Sequence, residues 1–184
     1  MSRTASCMMP LGTKAPNFNL TDVRTSKQIK FAEARGAKGT VIMFICVHCP
    51  YVIHVQDQIA DIADHYEDLG ISFIAISANE IMNYPQDAPA FMKAQAEEVG
   101  FNFPYLFDQD QSVAKAYGAE CTPDFFVFDE NDSCVYRGRM DASTPGNEMP
   151  NDGEDLRGAL EDLVEGKPLS ENQKPSMGCN IKWK

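Results

Sequence analysis

Residues 44–52 read Phe-Ile-Cys-Val-His-Cys-Pro-Tyr-Val, and they form the joint between two different patterns. On the N-terminal side, residues 40–45 are a continuous apolar run rich in β-branched side chains and bounded by Gly39. Such a run predicts a central strand buried on both faces. On the C-terminal side, Val52, Val55, Ile59, Ile62, Ala63, Tyr66 and Leu69 fall on one helical face. Pro50 suits the start of that helix, where its missing amide hydrogen costs nothing, and Gly70 stops it. Cys46 and Cys49 stand at the joint, three residues apart. They can be redox thiols, metal ligands or small buried residues, and the surroundings have to choose.

Working outward, residues 18–20 and 27–31 predict a short hairpin or edge strands near the start. Residues 71–77 are the next strand, followed by a loop and a helix over 87–99 that Gly100 ends. Residues 104–108 give a short strand and a helix start signal, and 112–117 a short helix closed by Gly118. Residues 124–129 and 134–139, parted by the turn residues Glu130, Asn131 and Asp132, predict an antiparallel hairpin. Leu156, Ala159, Leu160, Leu163 and Val164 make a last amphipathic helix. Residues 1–15 read as a loose leader, and 16–184 as one α/β domain that includes a polar, irregular tail over 167–184. Alternating strands and helices require parallel crossovers, and the closing hairpin adds antiparallel edges. Both cysteines then lie at the carboxyl end of a central strand, where α/β sheets place their chemistry.

Composition narrows the classes. A chain of 184 residues with 43% hydrophobic and 10% aromatic residues can bury a core without a disulfide framework. Its 16 basic and 27 acidic residues leave a net charge of −11, which argues against nucleic acid or an anionic membrane as partner. No apolar run approaches the ~20 residues of a membrane span, and the first residues lack the apolar core of a secretory signal. Six cysteines, two of them closely spaced, predict the reducing cytosol and catalysis or metal binding rather than structural cross-links.

A Cys-x-x-Cys between a strand and a helix inside a β–α–β pattern is a specific redox signal. The positive end of the helix is expected to stabilise a thiolate on Cys46, lowering its pKa from about 8.5 towards ~3.5–7.5. Cys49, one turn on, then displaces the bound product by closing the intramolecular disulfide. His48 between them is a candidate for further tuning, or an exposed turn residue without consequence.

The segment CVHCPYV resembles the active-site segment of thioredoxin-superfamily proteins. It is closest to the peroxiredoxin-like redoxin group, of the alkyl hydroperoxide reductase and thiol-specific antioxidant type, whose members carry CNHCPYV; Val47 replaces the Asn. APNFNLTD (15–22), YGAECTPDFFVFD (117–129) and PSMGCNIKW (175–183) resemble three further stretches of that group, so the likeness frames most of the chain. The resemblance implies a thioredoxin-like fold, a central mixed sheet flanked by helices with an N-terminal hairpin extension. It also implies that the Thr122–Pro123 bond is cis and faces the cysteine pair, with the backbone before it pairing with a substrate's extended chain. Cys121 and Cys179 then become auxiliary thiols or small buried residues, Cys134 a core residue, and Cys7 idle.

Three functions follow. The first is a thiol–disulfide oxidoreductase in which Cys46 attacks and Cys49 resolves. It acts on protein or small-molecule disulfides and thiols and needs no bound cofactor or metal. The second is a peroxidase. Peroxiredoxins place Thr or Ser three residues before the peroxidatic cysteine, which aligns with Cys49, but here Cys46 stands at that position. The third is non-enzymatic binding of zinc or another soft metal by Cys46 and Cys49, with His48, Cys121 or Cys179; a structural zinc site needs four ligands and only one Cys-x-x-Cys is present. Strand 41–45 carries no carboxylate to accept the Cys49 proton. The polar loops 79–88 and 141–152 are candidates for the rim of a substrate groove, and the sequence leaves the oligomeric state open.

Overall fold

A computed structural model describes residues 3–184. Its centre is β4 (Gly39–Phe44), buried along its whole length as the apolar run requires. Before it come β1 (Arg3–Ala5), β2 (Asn19–Asp22), β3 (Gln28–Lys30) and the one-turn helix α1 (Phe31–Ala34). After it come α2 (Pro50–Glu67), β5 (Ile71–Ser77), α3 (Pro89–Val99), β6 (Tyr105–Phe107), α4 (Ser112–Tyr117) and β7 (Cys121–Thr122). The chain closes with β8 (Asp124–Asp129), β9 (Cys134–Gly138), α5 (Glu154–Val164) and β10 (Met177–Asn180).

The main sheet has the order β3-β2-β6-β5-β4-β8-β9. β4, β5 and β6 run parallel, while β8, β9 and the β2–β3 hairpin pair antiparallel. Alternation along β4 splits the core in two. Val41 and Met43 face α2, α3 and α5, whereas Ile42 and Phe44 face α1 and α4. This is the mixed sheet flanked by helices that the sequence predicts. Among the described residues, no helix is long and apolar enough to cross a membrane.

Five expectations need correcting. The leader is not loose throughout, since Arg3–Ala5 pairs antiparallel with β10, Arg3 opposite Cys179. Nor is the tail irregular throughout, because β10 also pairs with β7, giving a second sheet of order β1-β10-β7. These strands are too short and polar to show alternation, so they are invisible to pattern reading. Phe31, expected to end a strand, opens α1 and buries its ring edge-on against Phe18 and Phe128. Leu69 is 38% exposed, because α2 ends at Glu67 and the residue has left the helical stripe. The helix over 87–99 begins only at Pro89, since a residue before proline is pushed to extended geometry and Ala88 has ψ 155°.

A candidate dithiol site at the β4–α2 joint

β4 ends at Phe44 and α2 starts at Pro50, so the N-cap of the helix is Cys49, with Cys46 set back in the intervening loop. That loop is held by a residue from elsewhere in the chain. The Val47 and His48 amides donate to Asp87 Oδ1 at 2.9 and 3.1 Å. His48 Nδ1 lies 2.5 Å from Asp87 Oδ2, and Asn79 Nδ2 donates to the same oxygen at 2.9 Å. The His48 ring stacks on Tyr84, with centroids 5.9 Å apart and planes 15° from parallel. Asp87 is fully buried, and a buried carboxylate is tolerated where its lone pairs are met by donors, as here. His48 is thus tied down rather than a free turn residue.

Across from the loop, the Thr122–Pro123 peptide bond is cis. Thr122 Oγ1 is 3.4 Å from Cys46 Sγ, and the Thr122 carbonyl is 3.3 Å from Cys49 Sγ. Cys49 Sγ also lies 2.8 Å from Cys179 Sγ on β10. Both Cys46 and Cys49 are buried, at 1% and 0% exposure. β7 stands at the end of its sheet, with β10 on one edge, so the strand beside Thr122 is the chain's own tail.

The electrostatics reverse the expected assignment of the anion. Cys49 is lowered to about 5, chiefly because the Cys46 thiol hydrogen-bonds to it; contacts from Cys179, Thr122 and the Val52 amide add to this and together outweigh burial. Cys46 is raised well above the ordinary thiol range by the proton it shares with Cys49, by burial and by the negative charge of Asp87. The pair therefore holds one proton near neutrality, on Cys46. Beyond the mutual hydrogen bond, the negative charge of Asp87 acts on Cys46, while Cys179, Thr122 and the Val52 amide hydrogen-bond to Cys49.

The remaining sequence candidates separate cleanly. The Cys121 thiol donates to the Pro123 carbonyl at 3.9 Å, and burial pushes it far up. Cys134 belongs to the core on the other face of the sheet, and Cys7 is exposed. Loop 141–152 touches α2 through His54 Nε2 and Ser143 Oγ, 3.0 Å apart. Beside the cis-proline a cleft of about 140 Å³ is lined by Tyr51, His54, Pro123, Met140, Ser143 and Ser176. A larger cavity of about 510 Å³, lined by Lys38, Asp129 and Leu163 among others, contains no residue of the dithiol site.

Asp87, Asn79 and Tyr84 are the site residues that sequence reasoning missed. Asp87 between Pro85 and Pro89 reads as a helix-start signal at the end of the candidate rim loop 79–88. This loop brings a carboxylate to the Cys46 side of the pair, not to Cys49, whose proton the sequence left without an acceptor on β4. Asp124 is another fully buried carboxyl, pushed up by burial and aligned with Phe126 and Phe128 on the face away from the pair.

One atom each of Cys46, His48 and Asp87 lie within 4.8 Å of one another, a grouping that offers three donors to a metal. Asp87 already accepts from two amides and Asn79 and contacts His48, so a metal would have to displace part of that set.

Comparison with known families settles the lineage. The Redoxin family model matches residues 10–156. The chain belongs to the redoxin family. Among solved structures, this redoxin superposes with a TM-score of 0.98 on an uncharacterized conserved protein from Geobacillus kaustophilus, 50% identical, over 100% of this chain and 97% of that one. A thioredoxin domain of a thiol-disulfide oxidoreductase from Bacteroides vulgatus is similar in fold, with a TM-score of 0.67 at 16% identity over 85% of this chain and 99% of that one. The thioredoxin-like fold implied by the sequence is therefore the fold observed. Among curated proteins, the redoxin is 26% identical over 127 residues to the thiol-disulfide oxidoreductase ResA of Bacillus thuringiensis, 69% of this chain and 68% of that one.

Proposed function

We propose that this redoxin is a thiol–disulfide oxidoreductase working through Cys46 and Cys49 on disulfides and thiols of proteins or small molecules. The observation that carries the reading is a buried pair of cysteines at a helix N-terminus, with Cys46 Sγ 3.4 Å from Thr122 Oγ1 and Cys49 Sγ 3.3 Å from the Thr122 carbonyl at the cis Thr122–Pro123 bond. Its likeness to the protein named thiol-disulfide oxidoreductase supports the same reading.

Cys49 Sγ is enclosed by Cys46, Cys179 and the Thr122 carbonyl, so Cys46 is assigned the first attack. The shared proton shifts to Cys49, and Cys46 thiolate attacks the substrate disulfide, forming a mixed disulfide and releasing one substrate thiolate, which takes a proton from solvent. Cys49 then loses its proton, attacks Cys46 Sγ and releases the second substrate thiol. Two electrons pass from the dithiol to the substrate, and the Cys46–Cys49 disulfide remains; the reverse sequence oxidises a substrate dithiol. Thr122 Oγ1 and His48 orient the loop that carries Cys46, and the backbone before the cis-proline, expected to pair with a substrate chain, pairs with Cys179 of the chain's own tail instead. The spacing of the thiol pair and the cysteine content support a reducing, cytosolic setting.

The test is trapping with a disulfide substrate. Cys49→Ser should accumulate a mixed disulfide on Cys46, and Cys46→Ser should lose turnover; a Cys46→Ser protein with undiminished exchange sinks the proposal. A second reading, thiol peroxidase, is favoured by one observation, the acidity of Cys49 at the aligned peroxidatic position. Peroxide turnover that survives Cys46→Ser but not Cys49→Ser decides for it. Stoichiometric zinc protecting both thiols from alkylation decides for metal binding instead.

A further inference from the structure

Cys179 is 130 residues away from Cys49 in sequence, yet their sulfurs are 2.8 Å apart, less than 1 Å longer than the ~2.05 Å of an S–S bond. The contact is built rather than incidental. β10 is fixed from both sides, with Cys179 opposite Arg3 on β1 and opposite Thr122 on β7. Gly178 allows that approach, because a Cβ at this position would sit 1.9 Å from the Thr122 carbonyl oxygen. The Tyr51 amide, in the first turn of α2, hydrogen-bonds to Cys179. The sulfur of Cys49 therefore has a thiol neighbour on β10 as well as one in the active-site loop.

We propose that Cys179 is a third redox thiol of the site, which attacks Cys49 Sγ in the Cys46–Cys49 disulfide and moves the S–S bond inward to Cys49–Cys179. The step rests on the dithiol reading above. The bond between Cys46 and Cys49 breaks as the bond between Cys49 and Cys179 forms, and the proton that leaves Cys179 ends on Cys46. No electrons enter or leave, so the oxidising equivalent taken up by the dithiol stays in the protein. What changes is its place: Cys46 is returned as a thiol, and a released product thiol no longer finds a disulfide sulfur at Cys46 to re-attack.

The resting chemistry is compatible with this order of events. In the reduced protein, burial and the hydrogen bond to Cys49 push Cys179 up to about 12, so it does not compete for the first attack. Once Cys49 is bonded to Cys46 that anionic neighbour is gone, and Cys179 ionises more readily.

The experiment equilibrates the full chain in glutathione redox buffer, quenches it with acid, alkylates it under denaturing conditions, and maps disulfides by non-reducing peptide mass spectrometry. Wild type should yield both Cys46–Cys49 and Cys49–Cys179 peptides, with part of Cys46 alkylated. Cys179→Ser should yield only Cys46–Cys49, with Cys46 fully protected. Cys46→Ser should form Cys49–Cys179 and keep no lasting glutathione on Cys49. Wild type showing Cys46–Cys49 alone, with Cys179 fully alkylated throughout, overturns the proposal and leaves the dithiol reading intact, and this result needs no variant to fold. Lasting glutathionylation of Cys49 in folded Cys46→Ser likewise overturns it. Absence of Cys46–Cys49 in wild type at every potential overturns both.

Discussion

At the scale of single residues, the direction of ionisation is the most exposed claim. One sulfur titrates near 5 and the other only well above the ordinary thiol range, because a single proton is shared between them. The ultraviolet thiolate absorbance of reduced protein should therefore rise through a midpoint near 5 and stay level across neutral pH, and Cys49→Ser should abolish that low step. The sign follows directly. Cys49 is depressed, so the anion is present above its folded pKa and lost as pH falls through about 5, taking the exchange rate with it. A first midpoint near 8.5, the value of a free thiol, contradicts the assignment.

Asp87 is tested at the same scale. In Asp87→Asn the new amide would point a donor at Asn79 and His48, leaving a buried group unsatisfied at a cost of about 1–3 kcal/mol. The midpoint of urea unfolding should fall accordingly, and Cys46 should ionise more easily once the charge that raises it is removed. The cysteines were legible because their signal is local, a strand pattern meeting a helix pattern. Asp87 was not, since the cysteine loop it holds lies 40 residues earlier at Val47 and its own neighbourhood announces a helix. Which thiol carries the charge was likewise hidden, because it turns on Asp87 and on where α2 begins.

At the scale of elements, β10 matters more to the site than any helix except α2. Gly178→Ala forces the strand off Thr122 and should cost about 1–3 kcal/mol as an overpacked contact, read as a lower thermal midpoint. The same variant should separate Cys179 from Cys49 and suppress their disulfide, whereas Gly158→Ala, on α5 with nothing within 4 Å of its added Cβ, should do neither. Long periodic elements were readable from the sequence: α2, β4, β5, β8 and α5 sit where period and stop signals put them. The three strands of the small sheet were not, since each has at most four residues and is held by pairing across the chain. Pattern reading sees burial, and these strands are ordered by backbone pairing instead.

At the scale of the whole molecule, the sheet separates two cores with different duties. Phe125 lies in the core that contains Cys46 and Cys49, and its neighbour Phe126 in the opposite one. Truncating either to Ala should cost ~3–5 kcal/mol, a large part of the ~5–15 kcal/mol that holds a domain folded. Only Phe125→Ala should also move the low thiolate midpoint. Equal movement in both variants would mean that the two cores do not act separately on the pair.

The tail binds both walls of the site. Ser176 Oγ donates to the Pro123 carbonyl at 2.6 Å, and the Lys182 amide to Asn79 Oδ1 at 2.9 Å, so β10 and the residues flanking it span from the cis-proline to the loop of Asp87. Its pairings reach back across 130 residues to Cys49 and further to Arg3, and contacts so distant along a chain form late. A nascent polypeptide emerging from the ribosome consequently has its sheet and helices available well before its sulfur cluster. The third sulfur joins the Cys46–Cys49 pair only once β10 has docked beside Thr122.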